Sequence, residues 1–274
     1  MGSLLCKSWN DATVTGGSVL NVSVTATGYG TGGFVGYNRA PASIGTSTVS
    51  GVTVSGTGGV GGFAGLNAGA LTSDSVSGST INASQADSGG FAGQNTDTIS
   101  NASATSSVVN GASYAGGFVG YNGGTIDQSY ATNATTGTAY VGGLVGDNLG
   151  QITNAYATGS VGTASSPFVG GLVGLNSGTV IYVYAAANVT GQSGTTGALV
   201  GDNASSGSIT DAYFDAAVTG TLPGAGVPHG TLQIVSMGGA GQPDPTLAVT
   251  YVGFDFTNIW TIAPGDLPTL LHAP

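Results

Sequence analysis

The chain has 274 residues, 52 of them glycine, and a formal net charge of -10. Its only bases are Lys7 and Arg39, and all twelve acidic residues are aspartate; phosphate recognition needs clustered Lys and Arg, so the composition argues against nucleic acid and anionic membranes as partners. Hydrophobic residues make up 40% of the chain, too many for a disordered segment. No apolar run reaches the length of a membrane span, and the single cysteine, Cys6, can form neither an internal disulfide nor a cysteine-rich metal site.

In chain order, the start MGSLLCKSWND lacks a basic region followed by a long apolar core, so no signal peptide is expected within it. Asn21 to Gly28, NVSVTATG, reads as the second half of a repeat without its first half. A seven-letter motif then begins at Gly32 as GGFVGYN and returns at Gly61, Gly89, Gly116, Gly142, Gly170 and, as GALVGDN, at Gly197. Its closing residues are Asn38, Asn67, Asn95, Asn122, Asn148, Asn176 and Asn203, with gaps of 29, 28, 27, 26, 28 and 27 residues. A near-constant period of this size marks a solenoid whose units stack.

Each unit offers three short runs, of the GGFVG, TIDQSYA and TVSGVTV types, β-branched or aromatic and punctuated by Gly, Asn or Ser. Three strands per period fit one coil of a parallel β-helix, and seven coils at about 4.8 Å each rise roughly 34 Å. The third motif position is always Phe34, Phe63, Phe91, Phe118, Leu144, Leu172 or Leu199. Stacked, these residues would form an apolar column, and we expect this position to point inward. The closing asparagines tolerate the left-handed region and could form an amide ladder between coils. Later in the repeat comes a second recurring aromatic, Tyr130, Tyr156, Tyr184 and Tyr213, with Thr48, Ser75 and Ser103 as its counterparts in earlier copies. That column reads either as packing inside the coil, which we prefer, or as an exposed stripe for sugar rings.

After about Phe214 the period stops, and seven of the nine prolines lie beyond residue 220. The organisation expected is therefore an array over 1–213 and a cap over 214–274 that covers the open solenoid end. Gly230 to Gly239 reads as a short helix and Val252 to Ile262 as strands around Trp260. The fold class is all-β, a right-handed parallel β-helix of about seven coils with a non-repeating C-terminal cap.

The run Gly142 to Ala157, GGLVGDNLGQITNAYA, resembles the GLUG-motif family, whose pattern is GGLVG-x-N followed by G-x-I-x-x-x-Y-A. The resemblance extends over roughly residues 20 to 271; the first three repeats depart from it in lacking the Tyr. It implies a secreted or surface-exposed bacterial protein of adhesin type, and it supplies no catalytic residues.

Chemistry has few candidates. GYGTGG at Gly28 and GTGGVG at Gly56 satisfy a dinucleotide-binding pattern, but no βαβ unit surrounds them. His229 and His272 lie in the C-terminal region with Asp244, Asp255 and Asp266 nearby in sequence, and no ligand or triad spacing joins them. Asp147 and Asp202 share one motif position two coils apart, roughly 9.6 Å at about 4.8 Å per coil. That is near the span of an inverting carboxylate pair, although a solvated corner is the simpler reading. No cofactor and no dedicated metal site are expected. The function expected is a non-catalytic structural or adhesive module, secreted or at the bacterial cell surface. Its partners would be a host-cell glycan or protein and neighbouring domains of a larger protein. The alternatives are a polysaccharide-binding or polysaccharide-cleaving β-helix and an ice-binding solenoid.

Overall fold

A computed structural model describes residues 8–272 and 274; Cys6 and Lys7 lie outside them. The chain winds into stacked coils whose strands form three parallel sheets. One sheet of nine strands carries the end of the repeated motif, a short sheet of seven strands precedes the motif, and a long sheet of sixteen strands carries the second half of each repeat. In the motif sheet register is kept residue for residue: Asn38 pairs with Asn67, Asn67 with Asn95 and Asn95 with Asn122.

The motif makes the corner between the short sheet and the motif sheet. A Cβ on Gly142 would sit 1.9 Å from the carbonyl oxygen of Val145, and one on Gly146 would sit 2.4 Å from the carbonyl carbon of Tyr114. Only glycine lets the chain bend there and lets the two sheets touch backbone to backbone. Positions three and four of the motif both face inward, as Phe91 with Ala92 and Leu144 with Val145, all fully buried. The bend places the first at the corner, and the second opens the strand. Phe34, Phe63, Phe91 and Phe118 stack with centroids 4.8, 5.0 and 4.9 Å apart. Leu144, Leu172 and Leu199 continue the column, all fully buried, and Ile44, Leu71, Ile99, Ile126 and Ile152 line the opposite wall of the same core.

The closing asparagines are buried. Each donates its side-chain Nδ2 to the Oδ1 of the next, at 2.8 Å, from Asn38 through to Asn203. Asn10 extends the series downward at 2.9 Å, and Asn203 ends it by donating to the carbonyl of His229 at 2.6 Å.

The C-terminal region departs from expectation in two ways. Residues 230–239 contain no helix: Thr231–Met237 is a strand paired with Ser208–Asp215, and Ala225–Pro228 pairs with Val200–Asn203. Parallel coil pairing thus runs on to Met237 without the motif. Of the strands expected around Trp260, only Trp260–Thr261 forms, antiparallel to Thr269–Leu270. The remainder lies against the side of the rod. Tyr251 and Phe254 touch Tyr213, Trp260 touches Tyr184 and Tyr156, and the carbonyl of Pro274 reaches Ser103 and Tyr130. The tail therefore runs back along the long sheet, over the outer face of several coils. Among the described residues no helix is long and apolar enough to cross a membrane.

Candidate binding face

The tyrosine column projects outward from the long sheet, between inward-facing residues such as Ala155 and Ala157. Tyr130, Tyr156 and Tyr184 stack at 4.7 and 5.0 Å, and Tyr213 continues the register. Neither sequence reading describes its setting. It does not pack inside the coil, and it is not an open stripe: Tyr156, Tyr184 and Tyr213 are 7%, 1% and 2% exposed beneath the tail. The Tyr184 hydroxyl donates to the carbonyl of Pro268 at 2.6 Å, and the Tyr213 hydroxyl accepts from the amide of Val252 at 2.7 Å. Trp260 is fully buried, and its indole N–H points to Asn154 Oδ1 at 3.4 Å. Buried phenols and indoles need such polar partners, so this column is the seat of the tail.

The open face lies on the opposite side, where the short sheet meets the motif sheet. Two columns form it. Motif position six carries Trp9, Tyr37, Leu66, Gln94, Tyr121 and Asp147, then Leu175 and Asp202, in register. Beside it, one residue before the paired strand positions, come Asp87, Tyr114, Tyr140 and Phe168. Tyr114, Tyr140 and Phe168 stack at 5.3 and 4.8 Å while their edges face solvent. All four residues hold left-handed backbone, with φ of 65°, 57°, 53° and 55°. Bulky side chains seldom occupy that region, and each such residue costs on the order of 1–3 kcal/mol. The stacking of identical coils fixes the bulge despite its cost. This aromatic escaped the sequence reading, although a signal for it is written three residues before the motif's second glycine in SYAGG, AYVGG and PFVGG.

Carboxylates are set among these rings. Asp87 accepts from the Tyr29 hydroxyl and from Gln94 Nε2, the latter at 2.7 Å, and Gln94 Nε2 also reaches the Tyr29 oxygen. Tyr29 reaches Asp87 by laying its ring over Gly58 and Gly59, where a Cβ would meet it at 2.7 and 2.8 Å. Asp87 and Asp147 are each 8% exposed, and Asp147 Oδ1 is buried with no hydrogen-bond partner among the described residues. Burial, with a smaller contribution from the charge of Asp87, pushes Asp147 up to about 6. Burial also raises Asp202, which His229 partly offsets. Arg39 lies 4.9 Å over the Trp9 ring and 3.6 Å from the Asp11 carboxylate.

The remaining sequence candidates do not converge. Asp147 and Asp202 stand in one column with Leu175 between them. Asp244 and Asp255 accept hydrogen bonds within their own turns, from Thr246 and from Thr257 and Asn258. His229 and His272 are exposed. Among the described residues no group of three or more His, Cys, Asp or Glu is arranged to hold a metal.

The fold and faces define a β-solenoid of stacked parallel coils with a side-docked tail. Residues 111–136 and 137–162 match the GLUG motif, and the chain carries GLUG-motif repeats. Among solved structures it is similar to a Bacteroides ovatus protein described as a candidate immunoglobulin A1 protease. The two share 17% identity with a TM-score of 0.63, over 94% of this chain and 87% of that one. At that identity the likeness concerns the fold. No curated protein matches the chain in sequence.

Proposed function

We propose that this chain is a stiff, non-catalytic repeat module of a secreted or surface-exposed bacterial protein, which presents a side face to a partner. The observation that carries this reading is the unbroken run of paired coils from Trp9 to Met237, with one core through it and an asparagine ladder continuous from Asn10 to Asn203. Such a stack behaves as a rod, because each coil is held by its neighbours along one axis. The stripe of half-buried aromatics, with the buried Asp87 and Asp147 set among them, is the face best suited to contact, and a host-cell glycan or protein is the partner class. The test is saturable binding of the labelled chain to host cells and polysaccharides, with every sample assayed for released sugar ends and peptide fragments. Binding without release supports the module; release of either product overturns the non-catalytic reading.

A specific observation favours a second reading, ice binding. In the first three coils the outer face of the long sheet carries ranks of hydroxyls: Thr13 with Ser43, Ser18 with Thr48 and Ser75, and Ser50 with Ser77. Neighbouring hydroxyls bond across coils at 3.1–3.2 Å, which holds them in fixed rows. Thermal hysteresis in a freezing assay would favour this reading; its absence would remove it.

A further inference from the structure

Asp87 and Asp147 are two buried carboxylates without a counter-charge among the described residues. Register places Tyr121 one coil below Asp147, and Asp87 in the position of Tyr114 one coil earlier. The close packing of Gly120 on the Asp87 backbone and of Gly146 on the Tyr114 backbone brings the two columns side by side. The four residues thus form a block in which carboxylates and tyrosines alternate. Tyr114 and Asp147 both feel the charge of Asp87, and Tyr114 also feels that of Asp147. Of the bases, only Arg39 falls within the described residues, and it is engaged with Asp11 and Trp9. A buried carboxylate is stable only when paired or amply hydrogen-bonded. Asp87 has Tyr29 and Gln94, whereas Asp147 Oδ1 has no partner among the described residues.

We infer that Asp87 and Asp147, with the rings of Tyr29 and Tyr114 beside them, form a recognition site for a primary ammonium group. The ammonium brings three N–H donors and one positive charge. Approaching where each carboxylate keeps its 8% exposure, it can donate to the under-bonded Asp147 carboxylate and bridge toward Asp87, while aromatic walls stabilise a partly desolvated cation. A calcium ion fits the site less well, since it takes six to eight oxygen ligands and one Asp87 oxygen is already committed to Tyr29 and Gln94. Lysine side chains of a partner protein and amino sugars of a glycan both carry this group. The inference deepens the presenting-face reading and rests on it for its biological sense, but small amines in solution test it separately.

The experiment is a titration of the whole chain, at fixed ionic strength, with a glucosamine oligomer and with a short lysine-containing peptide. The acetylated form of each serves as control, and binding is followed by the chemical shifts of tyrosine ring protons and by calorimetry. At least one free amine should bind saturably, shift Tyr114, and lose on the order of tenfold or more in affinity on Asp87→Asn or Asp147→Asn, the scale of one charge-assisted hydrogen bond. Asp202→Asn, at the same motif position two coils on, should leave binding unchanged and so report any effect of net charge alone. Preference for the peptide or for the oligomer assigns the source. Equal binding of acetylated and free forms, equal loss with Asp202→Asn, or tight binding of calcium in place of the amines would overturn the site. Both asparagine variants keep the volume of the side chain, and circular dichroism of each checks that the rod is intact. Failure here leaves the cell-binding result standing.

Discussion

One column of the long sheet reads Ser18, Thr48, Ser75, Ser103 in the first four coils and Tyr130, Tyr156, Tyr184, Tyr213 in the next four. On both sides of that change the coils pair in parallel around one continuous apolar core, although the register slips once at the junction, between Thr105 and Val108. Outside, the first half is a hydroxyl surface, open to water at Ser18 and Thr48 and covered only at Ser103, where Pro274 reaches it, and the second is an aromatic ladder roofed by residues 251–270. The interior repeats because every coil must fill the same space, whereas an outward position is free to take on a local task. Here the task is the seating of the chain's own tail, and the apolar area of four tyrosines supplies the adhesion.

The comparison can be broken most strongly from within. Phe91→Ala opens a cavity in the ring column that both halves depend on, and should cost about 3–5 kcal/mol, seen as a fall in the denaturant midpoint of the whole rod. Asn122→Ala comes next: it leaves Asn95 Nδ2 without Asn122 Oδ1 and Asn148 Oδ1 without its donor. Orphaned buried groups cost roughly 1–3 kcal/mol, so a drop of about 2–3 kcal/mol on the same transition is expected.

Other changes should separate the halves. Trp260→Ala should leave the rod's midpoint in place and raise amide exchange and protease cutting across 251–270, because the tail is a local unit. If the whole rod melts earlier instead, the roof is part of the interior. In the open half, Asp74 is fully buried, and burial raises it to about 7 against two backbone hydrogen bonds, from Ser47 and Thr72, that pull it down. Its folded pKa lies above the unfolded value, so the folded chain holds the proton more tightly. Stability should therefore fall as pH rises from about 4 through 7, with Asp147 adding to the fall up to about 6. Asp74→Asn should flatten most of that slope in urea titrations at several pH values. Smallest is Ser77→Ala on the hydroxyl surface, expected within about 0.5 kcal/mol of the parent in the same titration.

Much of this was legible in the letters, and the misses have physical causes. The period, the glycine corners and the recurrent Phe, Leu and Asn stand out because stacking identical coils forces identical residues into one place. The facing of Tyr156 was not legible, because it sits between Ala155 and Ala157, and both parities of such a strand look apolar. Its cover comes from residues a hundred positions later, which no local pattern encodes. The strand Thr231–Met237 read as a helix because Leu232 and Ile234 carry no motif with them; only pairing with Ser208–Asp215 decides the matter. The aromatics Tyr114, Tyr140 and Phe168 were hidden for a different reason. They occupy left-handed backbone, where strand reasoning does not look for large rings.

The asparagine ladder has a polarity. Every amide donates toward the C-terminus and accepts from the N-terminal side, from Asn10 to the carbonyl of His229. Hydrogen bonds aligned in this way polarise one another, and only the two ends differ from the interior. Each internal amide meets the same pair of neighbours whatever the number of coils. A whole coil can thus be spliced in or out between two asparagines without orphaning a donor or an acceptor, while a partial coil breaks the series. The ladder makes the length of the rod an integer, open to revision by duplication or loss of complete repeats.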